Sequence, residues 1–173
     1  MNDMNTDNHH KPLAVVSGGT GYLGSAIVAE LKNAGWKVAL LSKSIPKSND
    51  DVYKCDVTNE EEVRAVLAEI RVAHGPIAAC IHTASPPLER VPLLSISTVS
   101  FDVAMNTSVR AAFLLAKEVA GHMQKNAAFI SITTQAIEPG TSQPSGAYIP
   151  AKYALRGFLR VLASETKQEG IRV

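Results

Sequence analysis

Short apolar runs alternate with longer amphipathic stretches along most of the chain. The runs are the length of strands, and their nearly uniform apolar character is typical of strands buried on both faces of a parallel sheet. They predict strands over 13–16, 37–41, 52–55, 77–82 and 127–133, with a sixth strand beginning at 171–173. Between them, apolar residues recur at helical spacing and predict helices over 25–34, 59–73, 101–123 and 149–169. This alternation predicts a doubly wound α/β fold, a parallel sheet with helices on both faces.

The ends of the predicted elements carry the expected capping and breaking residues. Thr58 is predicted to cap the second helix, with Glu60, Glu61 and Glu62 in its first turn. Residues 1–11 are polar and predict a disordered tail, which leaves 12–173 as one domain. At 173 residues, of which 46% are hydrophobic, the chain is long enough to build a sizeable core.

Composition excludes several classes of function. The net charge is +1 with no basic cluster, which disfavours nucleic acid and anionic membranes as partners. No apolar run is long enough to cross a bilayer. Cys55 and Cys80 lie in apolar runs and are predicted to be buried free thiols of a reducing compartment, which indicates a cytoplasmic protein; the alternative is a disulfide between them. The five histidines show no spacing typical of metal ligands, so no metal site is predicted.

A glycine-rich turn follows the first predicted strand. Gly18, Gly21 and Gly24 are spaced three apart, and the turn also contains Thr20, Tyr22 and Leu23. A turn from a strand into a helix exposes backbone N–H groups at the positive end of the helix dipole, where a pyrophosphate binds. The turn therefore predicts a dinucleotide site.

The end of the second strand bears on the choice of dinucleotide. An acidic residue there often binds the ribose hydroxyls, but this chain has Ser42 and Lys43 instead. Both side chains can accept a 2′-phosphate, which favours NADP(H) over NAD(H). Alternatively, Lys43 is a solvated loop lysine.

Tyr148 and Lys152 form a Tyr-x-x-x-Lys step at the start of the last predicted helix. Residues four apart on a helix share one face, and a nearby ammonium lowers the pKa of a phenol. The pair predicts an acid–base centre. Pro150 leaves an alternative open: the helix can begin at Pro150, with Tyr148 outside it.

These motifs, in this order, resemble those of the short-chain dehydrogenase/reductase family. The glycine turn resembles the family's TG-x-x-G-x-x-G variant, with Ser17 in place of threonine. The resemblance extends from about Leu13 to Val173. The other matching segments are Asp56-Val57, which the family uses to contact the adenine, Ile81-His82-Thr83-Ala84-Ser85, Asn106, Tyr148 with Lys152, and the tail Gly170-Ile171-Arg172-Val173.

The resemblance implies a nicotinamide-dependent oxidoreductase of carbonyl or alcohol substrates. It assigns Tyr148 as general acid or base and Lys152 as its partner, which also binds the nicotinamide ribose. Asn106 holds a proton-relaying water. Thr134 is the first choice for the family's catalytic serine, with Thr133 second and Ser131 interpreted as a strand residue. Thr83 and Ala84 join the predicted cofactor contacts.

Several departures keep other functions open. Threonine replaces the serine, and His82-Thr83 replaces the usual asparagine pair, which can alter how the fourth strand is tied to the turn before it. The alternative to an enzyme is a non-catalytic dinucleotide-binding regulator, or a scaffold subunit. Family members are usually longer, so we expect a fragment that lacks the last strands and part of the substrate pocket. By resemblance, the helices over 101–123 and 149–169 pair in a homodimer or homotetramer.

Overall fold

A computed structural model describes residues 11–44, 51–138 and 144–173. Five parallel strands form one sheet in the order β3-β2-β1-β4-β5. The chain leaves β1 on one side toward β2 and β3, then returns past β1 to β4, so the order reverses beside β1. The strands are β1 Leu13–Ser17, β2 Lys37–Ser42, β3 Val52–Lys54, β4 Ile77–His82 and β5 Met123–Ser131.

Helices connect the strands. Short 3₁₀ turns occur at Leu93–Ser95, Ala120–His122 and Gln135–Ile137, and residues Asn106–Arg110 form one turn of π-helix, called here the π turn. The α-helices are α1 Tyr22–Asn33, α2 Glu60–His74, α3 Thr98–Met105, α4 Ala111–Val119 and α5 Tyr148–Glu165.

Successive residues of β1 enter different cores. Leu13 and Val15 pack in a cluster that includes residues of α2 and α4, with α5 against it. Ala14 and Val16 pack in a second cluster under α1. Side chains of a strand point alternately to the two faces of the sheet, so the sheet is covered on both sides. The predicted doubly wound fold is confirmed.

Some predicted boundaries were wrong. The helix predicted over 101–123 ends at α4, because Met123 already belongs to β5, and the π turn interrupts it. Asn59, not Thr58, caps α2: its Oδ1 accepts hydrogen bonds from the Glu61 and Glu62 amides at 3.0 and 3.2 Å. Thr58 donates its hydroxyl to Asp56 instead.

The structure also bears on the sixth strand, the cysteines and the tail. The predicted sixth strand is represented by one parallel bridge, between Ala128 and Arg172. Both cysteines are buried free thiols as predicted, and burial raises the pKa of each to about 12. The tail predicted over 1–11, apart from Lys11, lies outside the described residues. Within the described part of the chain, no helix has both the length and the apolar character that crossing a membrane requires.

Candidate active site

The glycine turn is packed so closely that side chains would not fit at two of its positions. A Cβ on Gly24 would lie 2.2 Å from the Gly18 carbonyl oxygen, and one on Gly18 would lie 2.4 Å from the Ala84 amide nitrogen. Gly18 also has a φ of +75°, which favours glycine. The turn thereby lies directly against the end of β4, and α1 begins immediately after it at Tyr22.

A cavity of about 450 Å³ opens at the carboxyl ends of β1, β4 and β5, beside this turn. Open α/β sheets bind ligands at this edge, where the strand order reverses. The cavity brings together most of the predicted cofactor residues with Tyr148 and Lys152; it is lined by Gly18, Thr20, Gly21, Tyr22, Leu23, Gly24, Thr83, Ala84, Ser85, Ile132, Thr133, Tyr148 and Lys152. Sequence analysis gave no site role to Ser85, although it lies in the segment that resembles the family. It gave none to Ile132, whose aliphatic side chain carries no chemical signal.

Tyr148 and Lys152 share one face of α5. The helix begins at Tyr148, and the Lys152 ammonium lies 5.6 Å from the centroid of the Tyr148 ring. Pro150 is accommodated because N–H groups in the first turn of a helix have no partner within the helix. The alternative in which the helix begins at Pro150 is therefore not the one adopted.

Lys152 is buried, with 2% of its surface exposed. Its ammonium donates a hydrogen bond of 2.8 Å to the Ile132 carbonyl, where the chain leaves β5. Burial lowers the pKa of Lys152 from its ordinary value. The structure therefore holds a desolvated cation beside the phenol ring and at the rim of the glycine turn.

Only one of the two candidate threonines lines the Tyr148 cavity. Thr133 lines the cavity that contains Tyr148 and Lys152. Thr134 lines the neighbouring cavity with Arg156, and its hydroxyl oxygen accepts a hydrogen bond of 3.3 Å from the Ala136 amide. Ser131 is the last residue of β5, as interpreted from sequence. The first choice from sequence is thus the residue that lies outside the Tyr148 cavity.

Asn106 is the first residue of the π turn and is exposed. Its carbonyl accepts the hydrogen bond of the Ala111 amide, five residues along the chain. Asn106 does not line the Tyr148 cavity, although the π turn packs against α5. Single π turns within α-helices often occur at functional sites.

The remaining predicted cofactor residues cluster at the ends of β2 and β3, outside the Tyr148 cavity. The Lys43 ammonium lies 2.9 Å from Asp56 Oδ2. Burial raises the pKa of Asp56, but hydrogen bonds from Lys43 and Thr58 outweigh it and leave that pKa below its usual value. Val57 is buried, and Ser42 accepts a long hydrogen bond of 3.4 Å from the Ser44 amide.

Comparisons with known proteins bear on the family and on the fold. A family model described as "Enoyl-(Acyl carrier protein) reductase" matches residues 22–173, which is most of the chain. The chain belongs to the short-chain dehydrogenase/reductase family. Membership of this family makes it an oxidoreductase of alcohol or carbonyl groups.

Among curated relatives, the chain is similar to the 2,5-dichloro-2,5-cyclohexadiene-1,4-diol dehydrogenase of Sphingobium indicum. The two are 27% identical over 97% of this chain and 71% of that protein. Among solved structures, it is similar to NADH-dependent reductase A1-R′ complexed with NAD. That similarity has a TM-score of 0.85 at 21% identity, over 94% of this chain and 76% of the other.

A second structural neighbour is a blue fluorescent protein from a metagenomic library in complex with NADPH. Its TM-score is 0.81 at 23% identity, over 92% of this chain and 70% of the other. At these identities the structural similarities establish the shared fold. One of these two neighbours is in complex with NAD and the other with NADPH.

Proposed function

We propose that the chain transfers hydride between NADP(H) and a carbonyl or alcohol substrate, with Tyr148 as general acid or base. The observation that carries the proposal is the cavity in which the glycine turn meets the Tyr148–Lys152 pair. A dinucleotide site and an acid–base centre are the two components that carbonyl reduction requires.

The residues at the turn fit a dinucleotide. Gly18 and Gly24 keep the turn free of side chains, and the first amides of α1 begin at the cavity wall. A cavity of about 450 Å³ lies within the usual range for ligand sites. When bound, the nicotinamide would supply the hydride. Thr83 and Ala84 at the end of β4 would complete the protein wall beside it.

The roles of the acid–base residues follow from their positions. Tyr148 would donate its phenolic proton to the carbonyl oxygen during reduction, which leaves a negative charge on the phenol oxygen. The buried Lys152 ammonium, 5.6 Å from the ring centroid, would stabilise that charge in a site of low dielectric. Lys152 would also reach the ribose of the bound dinucleotide.

Two supporting residues complete the proposal. A threonine hydroxyl would hydrogen-bond the substrate oxygen. Thr133 is favoured by its place in the cavity, and Thr134, the first choice from sequence, is the alternative. Asn106 would hold a water that passes protons toward Lys152.

The preference for NADP(H) rests on Ser42 and Lys43, because residues 41–44, where β2 ends, include no Asp or Glu. The Lys43 side chain is 69% exposed, and an exposed ion pair contributes only about 0–1 kcal/mol. The Lys43 ammonium can therefore turn from Asp56 to a 2′-phosphate at little cost.

Lys43→Met tests this preference. We expect NADPH to bind the unaltered chain more tightly than NADH. The substitution should weaken the binding of NADPH about tenfold, or about 1.4 kcal/mol, and leave the affinity for NADH unchanged. Lys32→Met, in the last turn of α1, is the control that should change neither. Equal affinities of the unaltered chain for the two dinucleotides in a fluorescence titration would show that the preference is wrong.

The acid–base assignment is tested by Tyr148→Phe. With NADPH and a panel of aldehydes, ketones and oxoacyl esters, we expect turnover of the unaltered chain. Tyr148→Phe should lower kcat by about two to four orders of magnitude, because the proton donor is lost. Tyr153→Phe removes a hydroxyl from the same helix, which bonds to the Ile137 carbonyl, and should leave kcat nearly unchanged.

The alternative function gives a different result. A dinucleotide-binding regulator would bind NADPH with no turnover on any carbonyl of the panel. If Tyr148→Phe leaves the rate of turnover unchanged, the acid–base role of Tyr148 is wrong, although the chain is still an oxidoreductase.

We also propose that the chain forms a homo-oligomer through α4 and α5. These helices expose Phe113 and Val161. Phe113 makes an edge-to-face contact with Phe158, with ring centroids 6.4 Å apart. Burying exposed aromatic surface of this kind is favourable. A monomeric mass in light scattering would contradict this assembly.

A further inference from the structure

His82, the last residue of β4, is a buried polar residue that the proposed chemistry does not use. Only 1% of its surface is exposed, and it does not line the Tyr148 cavity. Its Nδ1 lies 2.7 Å from the Ser17 hydroxyl, and its Nε2 lies 3.1 Å from the Thr107 carbonyl oxygen. A carbonyl can only accept, so Nε2 carries the proton and Nδ1 accepts from Ser17. The neutral ring is therefore bonded at both nitrogens.

These two hydrogen bonds join elements that carry different parts of the proposed site. Ser17 is the last residue of β1, directly before the glycine turn. Thr107 follows Asn106 in the π turn. The link to Ser17 is reinforced by the next residue: Thr83 donates both its amide and its hydroxyl to the Ser17 carbonyl, at 2.9 and 2.7 Å.

The backbone of His82 leads to Lys152. The His82 carbonyl accepts a hydrogen bond of 3.2 Å from the Ile132 amide, and the Ile132 carbonyl accepts the 2.8 Å bond from the Lys152 ammonium. His82 is thus one hydrogen bond from Ser17, the residue before the glycine turn, one from the π turn and two from Lys152.

We propose that His82 is a positioning residue that fixes the π turn, and with it Asn106, relative to the Tyr148–Lys152 pair. The bond from Nε2 to the Thr107 carbonyl is the contact that does this. The proposal rests on the proposed function, because it assigns His82 a purpose within that site. A purely apolar side chain could fill the space, but it would leave the Ser17 hydroxyl and the Thr107 carbonyl without this partner in a buried place, at a cost in free energy.

The surroundings keep this ring neutral. Burial, together with the Lys152 ammonium on α5, lowers the pKa of His82 to about 4. The other elements packed around the ring present uncharged groups to it: the Ser17 hydroxyl from β1 and the Thr107 and Ser108 carbonyls from the π turn. The Ser131 hydroxyl of β5 bonds to the His82 carbonyl. The bonding pattern is therefore retained across neutral and mildly acidic pH.

Two substitutions separate the two bonds of the ring. The amide of glutamine reaches about as far as Nε2, so His82→Gln can still donate to the Thr107 carbonyl. The amide of asparagine reaches about as far as Nδ1, so His82→Asn keeps the hydrogen bond with the Ser17 hydroxyl and loses the one to the Thr107 carbonyl. Ser108→Ala is the matched control on the same turn, because the Ser108 hydroxyl is buried and makes no hydrogen bond within the described residues.

With NADPH and a substrate from the panel, we expect His82→Asn to lower kcat about ten- to hundredfold, as for a misplacement of about 1 Å. Its Kd for NADPH should change less than about twofold. His82→Gln and Ser108→Ala should stay within about threefold of the unaltered chain in kcat. An unchanged kcat in His82→Asn, or an equal loss of kcat in both histidine variants, would overturn the proposal.

Hydrogen exchange supplies a readout that needs no activity. We expect amides of residues 106–111 to exchange faster in His82→Asn than in His82→Gln, with β1 unchanged in both. If exchange differs in this way but the unaltered chain turns over no substrate, the proposed function is wrong and the contact between His82 and the π turn stands. Equal exchange in both variants would overturn the positioning role, whatever the activity. If His82→Asn does not fold, nitrogen NMR of the unaltered chain decides: a proton on Nδ1 rather than Nε2 contradicts the proposal.

Discussion

Thr133 and Thr134 are neighbours in the chain, but only Thr133 lines the Tyr148 cavity; both line the adjacent one. Thr134 has an extended backbone directly before the 3₁₀ turn. Thr133 lines the cavity that also contains Tyr148 and Lys152, while the Thr134 hydroxyl oxygen accepts a hydrogen bond from the Ala136 amide. A spacing rule that counts residues back from the tyrosine cannot resolve this one-residue difference.

Threonine-to-valine substitutions distinguish the two hydroxyls. We expect Thr133→Val to lower kcat about a hundredfold, the usual effect of removing one hydrogen-bond donor to the reacting oxygen. Thr134→Val should cost some stability at the 3₁₀ turn and keep kcat within about threefold. Steady-state kinetics with NADPH measure both, and the reverse order of effects would return the assignment to Thr134.

At the scale of elements, the start of α2 shows how closely two capping candidates compete. Thr58 and Asn59 both precede the acidic first turn, and both residue types are good caps. Asn59 takes the position because its Oδ1 reaches two amides of the first turn, while Thr58 is bonded to Asp56.

We expect Asn59→Ala to lower the free energy of unfolding by about 1 kcal/mol, the usual cost of losing a cap. Urea denaturation with circular dichroism measures this change. Asn33→Ala, at the exposed end of α1, is the control and should change stability much less. No loss of stability in Asn59→Ala would mean that its side chain does not cap α2.

The π turn between α3 and α4 is a second feature at the scale of elements. The apolar periodicity over 101–123 predicts one helix, and a π turn disturbs that pattern by a single residue. The disturbance places the Thr107 carbonyl against His82 of β4. The helix thereby gains a tie to the sheet that its own periodicity does not reveal.

For the whole molecule, His82 links stability to pH. Its pKa is about 4 in the fold and 6.5 when exposed in the unfolded chain, so between these values the unfolded chain binds the extra proton. The free energy of unfolding is therefore highest above pH 6.5, where His82 is neutral in both states. It falls by a total on the order of 3 kcal/mol as the pH drops from 6.5 toward 4.

Urea denaturation at pH 7 and pH 4.5 measures this linkage. We expect a clear loss of stability at the lower pH, and a much smaller loss in His82→Gln, which has no ring to protonate. His122→Gln, at an exposed histidine, is the control that should retain the full loss. An equal loss in His82→Gln would place the linkage elsewhere in the molecule.

Local patterns sufficed for the broad architecture. Alternating apolar runs and amphipathic stretches indicate strands and helices, because burial repeats with the period of each element. The glycine turn and the Tyr148–Lys152 step are likewise local, since their residues are close in the chain. The doubly wound sheet and the cavity that unites these motifs follow from joining such elements in order.

Contacts between residues far apart in the chain were decided by the tertiary structure. Ser17 meets His82 because β1 and β4 are neighbours in a fixed register. Lys43 pairs with Asp56 because β2 and β3 end side by side. Sequence by itself determined which elements form and which chemical groups they carry, since propensity and burial act locally. Sheet register and helix packing, which depend on all elements at once, decided which of those groups meet.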